Sequence, residues 1–179
     1  MSARQCPTLS TERLILRETR LEDFEPSVAM WSDERVVRHI SGHASSRSDS
    51  WGRLIRFPGL WALLGYGYWT VLERETGCLV GQAGLADFKR EMTPSIEGVP
   101  EAGYVFSPDS HGKGYATEAM RAVMAWADDV LKAEKTCAII HPDNQASIRV
   151  AEKLGFGRPE TADFSGKPVT LFWRDHASV

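Results

Sequence analysis

The chain has 179 residues, 42% of them hydrophobic and 25% charged, and a formal net charge of −3. That length suits one domain around one core, expected to span residues 1–179 with an ordered body from about 8 to 174. A mildly acidic chain has no general attraction for nucleic acid or anionic membranes, and no stretch approaches the roughly 20 apolar residues of a membrane span.

The opening MSARQCPTLSTERLILRE lacks the apolar core of a signal peptide. Cys6, Cys78 and Cys137 are odd in number, far apart and outside any Cys-x-x-Cys pattern. They read as reduced cysteines of a cytoplasmic protein. In TERLILRETR, Leu14 and Leu16 alternate with Arg13, Ile15 and Arg17, which predicts a strand. In LEDFEPSVAMWSDERVV, Phe24, Val28 and Trp31 share one helical face, with Pro26 in the first turn. SRSDSWGRLIRF predicts a second helix, stopped by Pro58-Gly59 and followed by an apolar segment, LWALLGYG.

Two β-rich runs flank Glu75-Thr76-Gly77 and predict a hairpin. A loop, KREMTPSIEGVP, leads to a strand through Glu101, Tyr104, Val105 and Phe106 that ends at Pro108. From Tyr115 to Leu131 the 3–4 spacing of Ala119, Ala122, Val123, Trp126, Ala127 and Val130 predicts a helix with that face buried. KTCAIIHPDN is a strand, NQASIRVAEKLGF a helix capped by Asn144 and closed by Gly155, and KPVTLFWRD a last strand. The order predicts a mixed α/β fold: a mostly antiparallel sheet of about six or seven strands with helices on both faces and one parallel crossover from Glu101 to Ile140.

The segment His111-Gly112-Lys113-Gly114-Tyr115-Ala116-Thr117 stands at the start of the longest amphipathic pattern. A helix start leaves about four backbone N–H groups unpaired beside a partial positive charge. Two glycines let a ligand approach that backbone. The loop therefore suits a phosphate or pyrophosphate; a tight strand-to-helix turn with no ligand is the alternative. It is neither a Gly-x-x-x-x-Gly-Lys-Ser/Thr loop nor a Gly-x-Gly-x-x-Gly fingerprint. His39 and His43 stand four apart without the Glu of a His-Glu-x-x-His site, and no metal is expected.

SPDSHGKGYATEA, followed by HPDNQASIRVAEKLGF, resembles the GNAT superfamily of N-acetyltransferases, most closely its ribosomal-protein N-terminal acetyltransferase branch. The opening TERLILRE and the GYWTV…VGQAGL hairpin resemble that branch too, so the likeness runs from Thr8 to Arg174. The resemblance implies a sheet splayed between its two central strands. It implies acetyl-CoA as cosubstrate, with its pyrophosphate on the amides of Gly112 to Thr117 and its pantetheine arm along Tyr104-Val105-Phe106 and against Asn144. The motif's first position, Gln or Arg in the family, is His111 here; the backbone cradle needs no particular side chain there.

Acetyl transfer to an amine needs an acceptor that has lost a proton, donors for the developing oxyanion, and a donor for the departing thiolate. The resemblance implies Glu101 as the base, with Asp87, Glu97 and His141 in reserve, and a backbone N–H near Tyr104 or Val105 as the oxyanion donor. An exposed strand-end carboxylate is the other reading of Glu101. Many relatives protonate the thiolate with a tyrosine in the last helix; the matching position is Ala151, and Ser147 is the substitute, with helix capping as its other reading. Trp31, His39, Trp51, Phe57 and Trp61 line an acceptor pocket or belong to the core. The acidic Glu91, Glu97 and Glu101 form a rim for a cationic acceptor or a solvated face. The expected acceptor is a protein N-terminal α-amine or a small-molecule amine, handled by a monomer or homodimer. A non-catalytic acyl-CoA-binding regulatory domain is the alternative, and fold alone does not choose the acceptor.

Overall fold

A computed structural model describes residues 5–176, and alternation along the strands explains its layering. Nine strands form one sheet in the order β1-β2-β3-β4-β6-β7-β9-β8-β5. They are β1 (Leu9–Ser10), β2 (Leu14–Arg17), β3 (Tyr68–Glu73), β4 (Leu79–Ala86), β5 (Met92–Thr93), β6 (Glu101–Phe106), β7 (Lys135–Ile140), β8 (Gly157–Phe164) and β9 (Lys167–Asp175). The helices are α1 (Phe24–Trp31), α2 (Glu34–Val37), α3 (Arg47–Leu64), α4 (Tyr115–Trp126) and α5 (Gln145–Lys153). Every neighbouring pair is antiparallel except β6 and β7, which are parallel.

Side chains on one face of the sheet (Leu14, Leu16, Trp69, Val71, Ala83, Leu85, Ala102, Phe106, Ala138) pack with α4 and α5 residues in the main core. The opposite face is partly polar. There Thr70 and Gln82 are buried under α1, which answers with polar groups of its own. Gln82 donates to Ser27 Oγ (3.1 Å) and accepts from Trp31 Nε1 (2.9 Å), while Thr70 donates to Asp23 (3.2 Å). Asp23 also takes both arms of Arg17, at 2.7 and 2.8 Å. The expected Phe24-Val28-Trp31 face is therefore corrected. Asp23, Ser27, Met30 and Trp31 are buried, and Phe24 packs edge-on against Trp51 at 5.2 Å.

Pro58-Gly59 does not stop α3, which runs on to Leu64 and closes at Gly65 with φ 77°. Ser50, Leu54, Phe57 and Trp61 form one unbroken buried stripe across the proline, and that burial outweighs the cost of the missing N–H. A second correction concerns the end of α4. Residues Ala127–Leu131 form a π turn in which the Lys132 N–H donates to Ala127 O at 2.8 Å. The wider turn rotates the face, leaving Val130 exposed rather than buried and placing Asp128 against Arg174 (2.9 Å). Of the other residues expected on that face, Ala119, Val123 and Ala127 are buried and Ala122 and Trp126 only partly so, while Met120 and Met124 also enter the core. Strands β1, β5 and β8 bring the sheet to nine.

Candidate active site at the splayed centre of the sheet

Strand β6 is paired along its whole length to β4, from Gly81↔Phe106 to Ala86↔Glu101, but to β7 only at Glu101↔Cys137. Beyond that bridge the two central strands part. The Cys137 N–H donates to Pro100 O (3.1 Å) and the Ser107 N–H donates to Val80 O (2.9 Å). Two-residue alternation between these bonds turns the N–H and C=O of Ala102, Tyr104 and Phe106 toward the gap, and those of Val105 toward β4. Of the two amides named from the sequence, Tyr104 N–H faces the gap.

At the far end of the gap lies the glycine loop. Gly112 and Gly114 have φ of 78° and 80°, which a side chain would strain. Among the described residues, only Lys113 of the amides from Gly112 to Thr117 has a backbone acceptor, Ser110 O at 3.4 Å. The loop is held from behind. Arg13 donates to Lys113 O (2.8 Å) and to Glu118 (2.7 Å), Thr11 donates to Glu118 (2.6 Å), and Tyr115 OH donates to Glu73 (2.6 Å). Tyr115 itself is buried. The result is a fixed row of outward amides at a helix start, which suits a pyrophosphate. The His111 ring turns back to the strand, with Nε2 3.0 Å from Phe106 O, which fixes the loop to the end of β6.

Across the gap, Asn144 caps α5 by accepting from the Ser147 N–H at 3.2 Å. Ala151 is buried in the main core. The neighbour that sequence reasoning missed is the side chain of Tyr104. Its hydroxyl is the one buried side-chain polar atom among the described residues without a hydrogen-bond partner. Burial pushes this phenol up, and the Ser147 hydroxyl beside it acts in the opposite direction. An unsatisfied buried hydroxyl costs about 1–3 kcal/mol, a cost that a water or a ligand in the gap would relieve. The sequence carried a signal for it: Tyr104 follows Gly103 on the strand read as the cofactor strand.

On the opposite side of the sheet, Tyr68 lies across two glycines in register, Gly84 and Gly103, and a Cβ on Gly103 would collide with its hydroxyl. Phe57 stacks on Tyr68 at 4.9 Å. Burial pushes the Tyr68 phenol up, and the Glu101 charge adds to that. Glu101 is buried rather than an exposed strand-end carboxylate, and both of its oxygens accept from Arg90, at 2.6 and 2.9 Å. Arg90 is clasped between the rings of Phe88 and Phe164 (4.9 Å each).

The reserve carboxylates are engaged too. Asp87 pairs with Lys89 (2.7 Å) and accepts from the Gly98 N–H (3.0 Å), and Glu97 meets the same lysine at 3.2 Å. His141, just past the end of β7, stands against His39, ring centroids 5.4 Å apart. Of the aromatic candidates, Trp31, Phe57 and Trp61 are buried and Trp51 is exposed. Burial pushes the Cys137 thiol up to about 12, so it is protonated at neutral pH.

The family model described as "Acetyltransferase (GNAT) domain" matches residues 13–157. The uncharacterized protein YkkB of Bacillus subtilis (strain 168) is 37% identical over 175 residues, covering 93% of this chain and 94% of its own. The uncharacterized N-acetyltransferase YnaD of the same organism is 27% identical over 150 residues, covering 84% of this chain and 82% of its own. Among solved structures, a putative GnaT-family acetyltransferase from Bordetella pertussis superposes with a TM-score of 0.82 at 29% identity, covering 94% of this chain and 99% of that one.

Proposed function

The chain belongs to the GNAT acetyltransferase family and is an acetyl-CoA-dependent N-acetyltransferase, and from that premise we propose that it passes the acetyl group directly to an α-amine, both substrates being bound together across the gap between β6 and β7. The observation that carries this reading is the row of amides from Gly112 to Thr117, all but Lys113 without a backbone acceptor among the described residues, beyond the end of the β6 edge that β7 leaves unpaired. In it, the amides of Gly112, Lys113, Gly114, Tyr115, Ala116 and Thr117 hold the pyrophosphate. The outward backbone of Tyr104 and Phe106, with Asn144 opposite, holds the pantetheine arm; Val105 lies between them with its amide toward β4 and its side chain packed against Met30, Trp31, Val36 and Val37. His111 serves by bracing the strand end.

The Tyr104 N–H faces the gap and stabilises the negative charge that develops on the thioester oxygen. The Tyr104 hydroxyl, raised by burial and still protonated at neutral pH, supplies a proton to the departing sulfur, and the nearby Ser147 hydroxyl acts on it against the effect of burial. This offsets the loss of the helix tyrosine at Ala151 and weighs against a binding-only domain. Glu101 receives the acceptor's proton through water on a lone pair that Arg90 leaves free. An α-amine of pKa near 8 needs far less help in losing its proton at pH 7 than a lysine near 10.4. The protonated Cys137 offers no thiolate for a covalent acyl-enzyme, in keeping with direct attack.

One sheet running from Leu9 to Asp175 supports a single catalytic domain. The unpaired Cys6, Cys78 and Cys137 support a reducing, cytoplasmic setting; no helix among the described residues is long and apolar enough to cross a membrane. Calorimetric titration with acetyl-CoA, ATP and NAD tests the reading. Micromolar binding of acetyl-CoA alone is expected; equal binding of all three, or of none, would overturn it.

A further inference from the structure

We infer that the acceptor amine carries a carboxylate, recognised by Arg56 and Arg53 on α3; this rests on the acetyltransferase reading above and specifies its second substrate. The argument begins with which charges on the acceptor side are already neutralised. A shallow open groove of about 460 Å³ runs between α3 and the loop after β4, lined by Arg56, Leu60, Asp87, Phe88, Lys89 and Arg90. Its single carboxylate, Asp87, is occupied by Lys89 and the Gly98 amide. Glu101, behind it, has both oxygens committed to Arg90. A second ammonium entering the groove, as in a polyamine, finds no free carboxylate on its walls. Of the acidic rim expected from the sequence, Glu97 and Glu101 are thus spent on partners within the chain, and Glu91 is exposed and outside the groove's lining.

Two guanidinium groups are in the opposite condition. Arg56 lies near the Phe88 ring at 5.8 Å and has no carboxylate within salt-bridge distance among the described residues. One helical turn earlier, Arg53 lies over the Trp31 ring at 4.1 Å and donates to the Ser45 hydroxyl (2.9 Å), again with no carboxylate within salt-bridge distance among the described residues. Asp49, on the same helix, already accepts from the Ser46 amide and hydroxyl. Arg53 is half-buried, and burial pulls it below its ordinary range, with the Asp49 charge opposing that shift and the Arg56 charge adding to it. A half-buried guanidinium whose only side-chain hydrogen bond among the described residues is to a hydroxyl carries a desolvation cost that an anion relieves.

Their position relates them to the reaction. Arg56 is close enough to the Tyr68 hydroxyl, which lies over Gly103 of the central strand, to lower its pKa against the effect of burial. Trp31, beneath Arg53, donates to Gln82, whose register partner on β6 is Val105. The arginines therefore stand on the acceptor side of the same three residues, Gly103 to Val105, that would face the thioester. A planar guanidinium fork matches a carboxylate in geometry. An amine with a carboxylate a few bonds away, such as an amino acid or a short acidic peptide, places its nitrogen at the gap and its anion on α3. The groove is open, so a longer chain can continue out of it.

The test uses Ala-Glu-amide and Ala-Gln-amide, which share one free α-amine and differ in a single charge, with spermidine as a polycation, and follows thiol release from acetyl-CoA. The expected result is a kcat/KM about tenfold or more higher for the glutamate peptide, the size of one hydrogen bond to a charged group. Arg56→Gln, at an exposed position, and Arg53→Gln should remove that preference through KM while acetyl-CoA affinity stays unchanged. Equal use of both peptides, preference for spermidine, or a preference that survives the double substitution would overturn the inference and leave the acetyltransferase reading standing. So would acetyl-CoA binding with turnover of none of the three. Failure of the unsubstituted protein to bind acetyl-CoA would overturn the acetyltransferase reading itself, and this inference with it.

Discussion

Gly114→Glu isolates the glycine loop from the rest of the fold. Gly114 sits at φ 80° and ψ 7°, immediately before α4. A Cβ there meets only Arg13 Nη2, at 3.6 Å, so packing leaves room and the backbone supplies the penalty, about 1–2 kcal/mol for a left-handed non-glycine residue. For a chain of this size that lowers the melting temperature by roughly 2–8 °C. The new carboxylate emerges on the exposed side, where the free amides point. At about 5 Å from a phosphate charge, with an effective dielectric of about 20, the repulsion is about 3 kcal/mol per charge pair, or roughly two orders of magnitude in Kd. The assay is calorimetric titration with acetyl-CoA beside a thermal melt, with Gly114→Ala as the control for strain. The alanine variant should show the same fall in melting temperature and a far smaller loss of affinity. A folded glutamate variant with unchanged affinity, or equal losses in both variants, would refute the reasoning that the amides hold an anion.

Tyr104→Phe removes the unpartnered buried hydroxyl, so stability should hold or rise by up to about 1–3 kcal/mol in denaturant titrations, while kcat falls by about 100-fold or more as a proton donor is lost; a variant with unchanged kcat would remove Tyr104 from the chemistry. Ser147→Ala should lower kcat less than Tyr104→Phe and leave acetyl-CoA affinity within a few-fold; an equal loss from both would make Ser147 the donor. Glu101→Gln removes the anion from the half-buried Arg90 guanidinium and should cost about 1–3 kcal/mol of stability, with a rate loss larger for amines of high pKa than for α-amines; a rate loss independent of amine pKa would exclude Glu101 as proton acceptor. Asp23, buried against Arg17, also governs acid stability. Burial raises its pKa, but the Arg17 guanidinium, the Arg20 amide and the Thr70 hydroxyl outweigh that and hold it below the ordinary carboxylate range. Its contribution is then complete above pH about 3.9 and is lost as the pH falls below that toward the depressed folded value; Asp23→Asn should lose about 3–5 kcal/mol at pH 7, with the gap to the parent narrowing in acid melts.

The sequence was most legible where burial and period agreed. Leu14 and Leu16 alternate into the main core, the Asn144 cap and the Gly155 stop are where residue types demand them, and Gly112 and Gly114 carry the positive φ that their loop requires. It was least legible where one interaction overrode a local rule. Pro58 looks like a stop, yet the stripe from Ser50 to Trp61 carries α3 past it. Val130 keeps helical spacing, yet a π turn rotates it into solvent to seat Asp128 on Arg174. Strand β8 has one buried residue, Ala162, and so no alternation to read, although Ser165-Gly166, both at positive φ, was a hairpin signal in plain view. The site divides the same way. Backbone roles followed from glycine and cap positions. The partners of Glu101, Asp87 and Glu97, and the unpartnered burial of the Tyr104 hydroxyl, depend on tertiary packing, as where Arg90 meets Glu101.

The account's central claim is direct transfer across the β6–β7 gap, and a single-turnover experiment tests it most directly. The protein, in excess over acetyl-CoA, is mixed with an α-amine acceptor, and the protein and acceptor are both weighed by mass spectrometry as thiol is released. The account predicts one acetylated amine for each thiol freed and no acetyl group on the protein at any time. Acetyl appearing first on Cys137 or another side chain, or bound acetyl-CoA that releases no thiol to any amine, would contradict it.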